Sequence, residues 1–260
     1  MELVGHHVFI TGGASGIGLA LAREFLKTGN RVTVWGRDTD KLERAVRDNP
    51  GLDSLKVDIS QKGGLELITR ELTGRLSSVS ILVNNAAVGN AYCLLRDESP
   101  FEKIEAELLT NLLAPIRLTK IFLPVLLNQD HAAVVNVTSG YAVWPCTSLP
   151  GYSTAKGGLH AFTRVLRNQL KNTGVKVFEV LPPMVETEMV KESRAKKISP
   201  EAVVAATFSG LRRNRWEIAI GEVRLMRFVG GIAPRLLDWI LRRYPISLKE
   251  LDRLYLQEKK

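Results

Sequence analysis

The sequence predicts a single α/β domain, a doubly wound parallel sheet with helices on both faces. Apolar strand-like runs alternate with helical patterns along most of the chain, and this alternation is typical of parallel strands joined by right-handed crossovers. A glycine-rich turn follows the first strand, and polar side chains follow several later strands. Because ligands bind at the carboxyl ends of the strands in such sheets, we expect these side chains to share one cleft.

The predicted elements follow one another in a regular order. Seven apolar runs have the length of strands and lie near residues 6–11, 31–35, 54–57, 80–84, 132–138, 175–181 and 216–220. Six segments between them carry helical patterns, near residues 16–28, 39–48, 62–76, 99–127, 151–173 and 199–213. We expect residues 1–221 to form the sheet domain and residues 222–260 to form a helical extension.

Composition limits the class of protein. The chain has 260 residues, 45% of them hydrophobic, which suits one α/β domain with a substantial core. It lacks a long uncharged apolar run of transmembrane type, and the first strand follows Met1 too closely for a secretory signal. Cys93 and Cys146 are the only cysteines, and they fit neither a disulfide framework nor a metal site. We therefore expect a cytoplasmic protein without a bound metal.

The turn after the first strand predicts a dinucleotide site. Its glycines are Gly12, Gly16 and Gly18, and they lie between an apolar strand and an amphipathic helix. Glycine lets the backbone approach a pyrophosphate, and the helix N-terminus supplies amides and the positive end of a dipole. Ala14, Ser15 and Ile17, in the same turn, are therefore candidate cofactor contacts.

A second motif predicts acid–base chemistry. Tyr152 and Lys156 are four residues apart in a helical segment, so they lie on one face, one turn apart. A phenol has an ordinary pKa of about 10, and a neighbouring cation is expected to lower it toward the range useful for general acid–base catalysis.

Three further motifs identify a family resemblance. Asn84-Asn-Ala-Ala87 ends one strand, Ser139 closes another strand thirteen residues before Tyr152, and Pro182-Pro-Met-Val-Glu-Thr187 follows a third. Together with the glycine-rich turn, the Tyr–Lys pair and Asn111, they make residues 5–190 resemble the short-chain dehydrogenase/reductase family. The resemblance implies a Rossmann-type sheet with strand order 3-2-1-4-5-6-7. Ala87 and Pro183 stand in place of family glycines. We interpret both as tolerated, and the alternative is an altered position of the cofactor.

The resemblance also implies roles for particular residues. Tyr152 would be the general acid in carbonyl reduction and the general base in alcohol oxidation, and Lys156 would lower its pKa and bind the nicotinamide ribose. Ser139 would hold the substrate oxygen, and Asn111 would help to hold a relay water. The remaining cofactor contacts that the resemblance implies are Asp58, Ile59, Asn85, Ala86, Val185 and Thr187.

The end of the second strand predicts NADP(H) as the cofactor. NAD-preferring relatives usually carry an acidic residue here, which would repel a 2′-phosphate. This chain has Gly36, which leaves the space uncharged, and Arg37, which can pair with a phosphate. We interpret Asp38 as the start of the next helix rather than as a ribose ligand.

The basic C-terminal segment leaves several partners open. Of the net charge of +9, nearly all lies in residues 191–260, which hold 16 Lys or Arg and 8 Asp or Glu. The apolar and basic stretch beyond Gly221 has three interpretations: helices packed on the body or on another subunit, a cover over a bulky substrate, or contact with an anionic membrane or an acidic acyl carrier. No nucleic-acid-binding motif accompanies the basic residues.

These features lead to three functional hypotheses. The first is an NADP(H)-dependent oxidoreductase for a hydrophobic ketone, aldehyde or alcohol, assembled as a homodimer or homotetramer. The second is a biosynthetic ketoreductase for a polyketide or a carrier-bound acyl group. The third is a cofactor-sensing protein without turnover, although such relatives usually lose Tyr or Lys from the motif, and this chain keeps both.

Overall fold

The computed structural model describes residues 1–58, 62–95, 97, 99–191, 193 and 195–232. Seven parallel strands form one sheet in the order 3-2-1-4-5-6-7, which confirms the predicted order. The strands are β1 His7–Thr11, β2 Arg31–Gly36, β3 Leu52–Lys56, β4 Val79–Asn84, β5 Ala132–Val137, β6 Val175–Leu181 and β7 Glu217–Ala219. The first three strands are added toward one edge of the sheet and the last four toward the other, so β1 and β4 lie side by side near its centre.

Helices connect the strands on both faces of the sheet. They are α1 Gly16–Lys27, α2 Thr39–Arg47, α3 Lys62–Glu71, α4 Phe101–Leu108, α5 Ala114–Leu127, α6 Pro150–Gln169, α7 Pro200–Arg212 and α8 Glu222–Ile232. Two apolar clusters form the core. One packs Phe25 of α1 against Phe208 of α7, and the other packs Phe9 of β1 against Trp35 of β2 and Phe122 of α5.

The predicted helix near residues 99–127 is interrupted. A π-helical turn, Leu109–Leu113, separates α4 from α5. π turns insert one extra residue into an α-helix and are frequent at functional sites, and this one contains Asn111. By length and hydropathy, Phe101–Leu127 is the one candidate for a membrane-crossing helix in the part of the chain that the structure describes. It packs Leu118, Phe122 and other apolar residues of α5 into the core, as the central helix of a globular fold does.

The predicted C-terminal extension begins on the body of the protein. Val223, in the first turn of α8, is buried, and a Cβ on Gly140 would lie 2.8 Å from its Cγ2 atom. Arg227 pairs with Glu217 of β7. The start of the extension therefore continues the sheet domain, whereas residues 233–260 lie outside the described residues.

Candidate active site

The glycine-rich turn is closed by contacts that leave no room for side chains. Gly12 and Gly16 have φ values of +63° and +51°, which glycine adopts readily. A Cβ on Gly18 would lie 2.3 Å from the carbonyl oxygen of Gly12 and 2.5 Å from Nδ2 of Asn85. α1 begins at Gly16, and Ser15 is exposed and does not cap it with its side chain. The first amides of α1 therefore point out of the turn, where an anionic group fits.

Thr11 and Asn85 tie this turn to the end of β4. The Thr11 hydroxyl oxygen accepts hydrogen bonds from the amides of Asn85 and Ala86, each at 2.8 Å. Nδ2 of Asn85 donates to the carbonyl oxygens of Thr11 and Gly12, at 3.0 and 3.2 Å. Asn85 thus positions the turn with its side chain, so any direct contact with a cofactor would come from other atoms of the segment.

The segment after β6 closes the turn from the other side. Val185 is buried and forms a parallel bridge with Ile198. The Thr187 hydroxyl donates to the carbonyl oxygen of Val185 at 3.3 Å. A Cβ on Gly16 would lie 3.0 Å from Cγ2 of Thr187. Thr187 therefore lies against the start of α1, and its hydrogen bond links it to Val185; the cofactor contacts of both residues stay a prediction.

The predicted acid–base residues meet at the N-terminal end of α6. Tyr152 is partly buried, and its phenol hydrogen-bonds Ser139, which follows β5. Burial raises the pKa of Tyr152 to about 12, although the bond with Ser139 opposes this change. The expectation that Lys156 would lower this pKa is therefore wrong for the protein alone. The loss of solvation on burial outweighs the attraction of a cation whose Nζ lies 5.8 Å from the ring centroid.

Lys156 is more deeply buried than its partner. Its side chain is 2% exposed, and its Nζ donates to the carbonyl oxygen of Val137 at 2.8 Å. Burial lowers the pKa of Lys156 to about 8, since the charged form loses hydration without gaining an anionic partner. The ammonium group is thus held one turn from Tyr152, below the end of β5.

Asn111 occupies the π turn between α4 and α5. Its side chain is buried, with Oδ1 accepting from the Val88 amide at 2.9 Å and Nδ2 donating to the Val88 carbonyl oxygen at 2.7 Å. Both polar ends of the side chain thus bind the backbone of Val88 and position the segment after β4. Each end can make one further hydrogen bond, so the role of Asn111 in holding a relay water stays a prediction.

Apolar and aromatic groups surround the phenol of Tyr152. A Cβ on Gly89 would lie 3.1 Å from Cδ2 of Tyr152 and 3.6 Å from Sδ of Met189. The ring of Tyr141 meets the ring of Tyr152 edge-on, with centroids 6.5 Å apart. The Tyr141 ring thus lies beside the Tyr152 ring, and Met189 lies near Gly89, which packs against the same ring. The sequence analysis named neither Met189 nor Tyr141.

The predicted 2′-phosphate ligand lies at the far end of the cleft. Arg37 is exposed at the end of β2. Asp38 caps α2, and its Oδ1 accepts from the Lys41 amide at 3.1 Å, which agrees with its interpretation as a helix start. Asp58 follows β3 and is partly buried, and Ile59 lies outside the described residues.

This geometry joins an anion-binding turn to a phenol, a hydroxyl and an ammonium group along one edge of the sheet. A family model for short chain dehydrogenases matches residues 6–198. The chain belongs to the short-chain dehydrogenase family. Among curated members, it is 34% identical over 240 residues to the "uncharacterized oxidoreductase DltE" of Bacillus subtilis, covering 87% of this chain and 92% of the relative. It is 30% identical over 260 residues to rat "estradiol 17-beta-dehydrogenase 11", covering 95% and 86%.

Solved short-chain dehydrogenases share the fold. One from Burkholderia cenocepacia, in complex with NADP, superposes with a TM-score of 0.84 at 25% identity and covers 93% of this chain and 99% of its own. Another from Burkholderia phymatum, in complex with NAD, has a TM-score of 0.79 at 21% identity, with coverage of 88% and 95%. These similarities support a nicotinamide cofactor, and the glycine-rich turn suits one, because Ser15 leaves the first amides of α1 without a side-chain cap.

Proposed function

We propose that this short-chain dehydrogenase is an NADP(H)-dependent carbonyl reductase, or in reverse an alcohol dehydrogenase, for hydrophobic substrates. The carrying observation is that Tyr152, Ser139 and Lys156 meet at the end of β5, on the edge of the sheet that also bears the glycine-rich turn. A proton donor and an oxyanion-stabilising hydroxyl at one point suit the reduction of a carbonyl group.

Each residue has a separate task in this scheme. The Ser139 hydroxyl donates a hydrogen bond to the substrate carbonyl oxygen, and the Tyr152 phenol gives that oxygen its proton. Lys156, anchored on Val137, orients the ribose and adds positive charge near the phenol. The glycine-rich turn and Thr187 would hold the cofactor, which supplies the hydride when bound.

Replacing Tyr152 with phenylalanine tests the catalytic assignment. The variant should bind NADPH like the parent and lose turnover by about 100-fold or more, because general acids contribute about 10²–10⁴-fold. Thr154→Ala, on an exposed position of the same helix, is the matched control and should keep its turnover. A loss of less than tenfold in Tyr152→Phe would count against the phenol as the proton donor.

The preference for NADP(H) is proposed from Arg37. Asp38 caps α2 through its Oδ1 atom, which supports Arg37 rather than Asp38 as the ligand at this position. A charge-assisted bond to phosphate is worth roughly 1.5–3 kcal/mol, so Arg37→Ala should weaken NADPH binding about 10- to 150-fold and NADH binding little. Arg47→Ala, also exposed and on the same helix as the Asp38 cap, is the control. Equal weakening of both cofactors would overturn the preference.

The proposed substrate class is apolar, and a carrier-bound acyl group is the second candidate. The Tyr141 ring lies beside the Tyr152 ring, and Met189 lies near Gly89, which packs against that ring; these groups support an apolar substrate. The excess of basic residues in 191–260 supports docking of an acidic carrier protein. A screen that follows NADPH absorbance on free ketones, aldehydes and carrier-bound 3-oxoacyl groups separates the two. Absence of turnover on all of them, with NADPH still bound, would favour a cofactor-sensing protein.

We also propose a homodimer or homotetramer, and a cytoplasmic location from the two isolated cysteines. The segment 222–260 is proposed as a substrate cover, a subunit contact or a membrane-surface contact. Sedimentation of the purified protein, with and without anionic vesicles, tests these assignments.

A further inference from the structure

A buried carboxylate lies behind the proposed active site. Glu107, on α4, has no measurable exposure. Its Oε1 accepts from the amide of Asn90 at 2.7 Å, and its Oε2 accepts from the Tyr92 hydroxyl at 2.9 Å. Among the residues that the structure describes, it has no ion pair with a basic side chain. A buried carboxylate held only by neutral donors is costly, so its presence calls for a role.

The Tyr92 hydroxyl links Glu107 to α6 by hydrogen bonds. Leu149, at the N-cap of α6, has no side-chain oxygen to cap the helix. Instead, the amide of Gly151, in the first turn, donates to the Tyr92 hydroxyl at 2.9 Å. The phenol accepts this bond and donates its own proton to Glu107. An orphan amide of the helix is thus satisfied by a residue 59 positions away in the sequence.

Gly151 is the position at which these elements touch. A Cβ there would lie 2.3 Å from both Oε2 of Glu107 and the Tyr92 hydroxyl oxygen. Tyr152 is the next residue, and Gly89 of the Asn90 loop lies against its ring. The carboxylate therefore supports Tyr152 from two sides, through the helix that carries it and through the loop that covers its ring.

We infer that Glu107 is a positioning residue for Tyr152, fixing the Gly89–Tyr92 loop through Asn90 and the first turn of α6 through Tyr92. The inference rests on the proposed role of Tyr152 in proton transfer. Its charge has a second consequence, since Glu107 also raises the pKa of Tyr152.

Other charged and titratable groups lie around this network. Ser139, Lys156 and Tyr141 face Tyr152. Lys103 lies 5.9 Å from the centroid of the Tyr92 ring and pairs with Asp97 at 2.9 Å. These groups are common to all the variants described below, so differences between variants report on Glu107 and Tyr92.

Two substitutions distinguish the effect of the hydrogen bond through Tyr92 from the effect of the negative charge on Glu107. Glu107→Gln removes the charge and replaces one acceptor by a donor, so either Asn90 or Tyr92 loses its partner. Tyr92→Phe removes the link to α6 and keeps the charge. The matched control is Glu105→Gln, at an exposed position on the same helix. Turnover, its pH profile and the NADPH dissociation constant are measured for each full-length protein, with thermal unfolding as a check of folding.

Both test variants should lose kcat by about tenfold or more, because small misplacements of a reacting group are costly, while NADPH affinity stays as in the parent. In carbonyl reduction, the loss of activity at high pH should move to lower pH in Glu107→Gln and stay in place in Tyr92→Phe. Kinetics of Glu107→Gln that match those of Glu105→Gln would overturn the inference.

Failure of the inference is distinguishable from failure of the proposed function. If Tyr152→Phe keeps its turnover, the proposed function falls. If Tyr152→Phe is inactive while Glu107→Gln and Tyr92→Phe are normal, only the positioning role falls. Should Glu107→Gln fail to fold, Tyr92→Phe decides, because it is nearly isosteric and a normal kcat in it would refute the link through α6.

Discussion

Substitution of Lys156 by methionine tests the physical basis of the site through stability. Lys156 is 2% exposed, and burial lowers its pKa from 10.5 to about 8. In the unfolded chain the amine returns to its ordinary pKa. Between these two values the unfolded state binds more protons than the folded state, so the stability of the parent rises with pH across this interval.

The magnitude follows from the two pKa values. A shift of one pKa unit is worth about 1.36 kcal/mol, so the charge of Lys156 costs the folded state about 3 kcal/mol at pH 7 and about 1 kcal/mol at pH 10. Methionine removes this cost. It also removes the donor to Val137, and an unsatisfied buried carbonyl costs about 1–3 kcal/mol. Lys156→Met should therefore gain stability relative to the parent at pH 7 and lose that advantage by pH 10.

The assay is denaturant unfolding of both proteins without cofactor at several pH values. The difference in unfolding free energy between variant and parent should fall by about 2 kcal/mol from pH 7 to pH 10. Lys171→Met, at an exposed position just beyond α6, is the control and should show no such trend. If the difference in unfolding free energy stays constant with pH, burial does not destabilise the charged form of Lys156 and the argument is refuted. Turnover should be lost in Lys156→Met under all conditions.

The packing leads to two further predictions, one for a substitution and one for a truncation. Gly18→Ala should abolish cofactor binding and lower stability, because the new Cβ would lie 2.3 Å from the Gly12 carbonyl oxygen; calorimetric titration with NADPH measures this, and binding that stays normal would contradict the rigidity of the turn. Truncation after Gly221 should destabilise the protein by about 2 kcal/mol or more, since it removes the buried Val223 and the partner of Glu217, whereas truncation after Ile232 retains both. Equal melting temperatures for the two truncated proteins would show that α8 contributes nothing to the body.

The fold could be predicted from the sequence because its strands, helix starts and turns each depend on residues that are close together in the chain. The strand at 175–181 was predicted with its observed bounds, and Asp38 starts a helix as its sequence suggested. Glycines at fixed spacing, strand ends and a Tyr–Lys pair one turn apart are all features of neighbouring residues. Such features predict where Tyr152, Lys156 and the glycine-rich turn lie relative to the strand ends.

Properties that depend on distant residues were not accessible in this way. The spacing of Tyr152 and Lys156 suggested a lowered phenol pKa, but burial, which depends on the whole fold, raises it. The hydrogen bonds from Glu107 through Tyr92 to Gly151 join three separate segments. A periodic sequence pattern does not predict contacts of this kind. The π turn at Asn111 likewise interrupts a helical pattern that the sequence presents as continuous.

The two pKa values bear on the proton-transfer step of the proposed reaction. A phenol with a pKa near 12 holds its proton throughout the physiological range, and in reduction the phenol must arrive with that proton in place. In oxidation it must first lose the proton, and the nearest ammonium group, Nζ of Lys156, lies 5.8 Å from the ring centroid, with its pKa lowered to about 8. The charge of Glu107 opposes that loss as well. Burial of Tyr152 and the charge of Glu107 therefore both favour the protonated phenol in the protein without cofactor, and this is the form that donates a proton in the proposed carbonyl reduction.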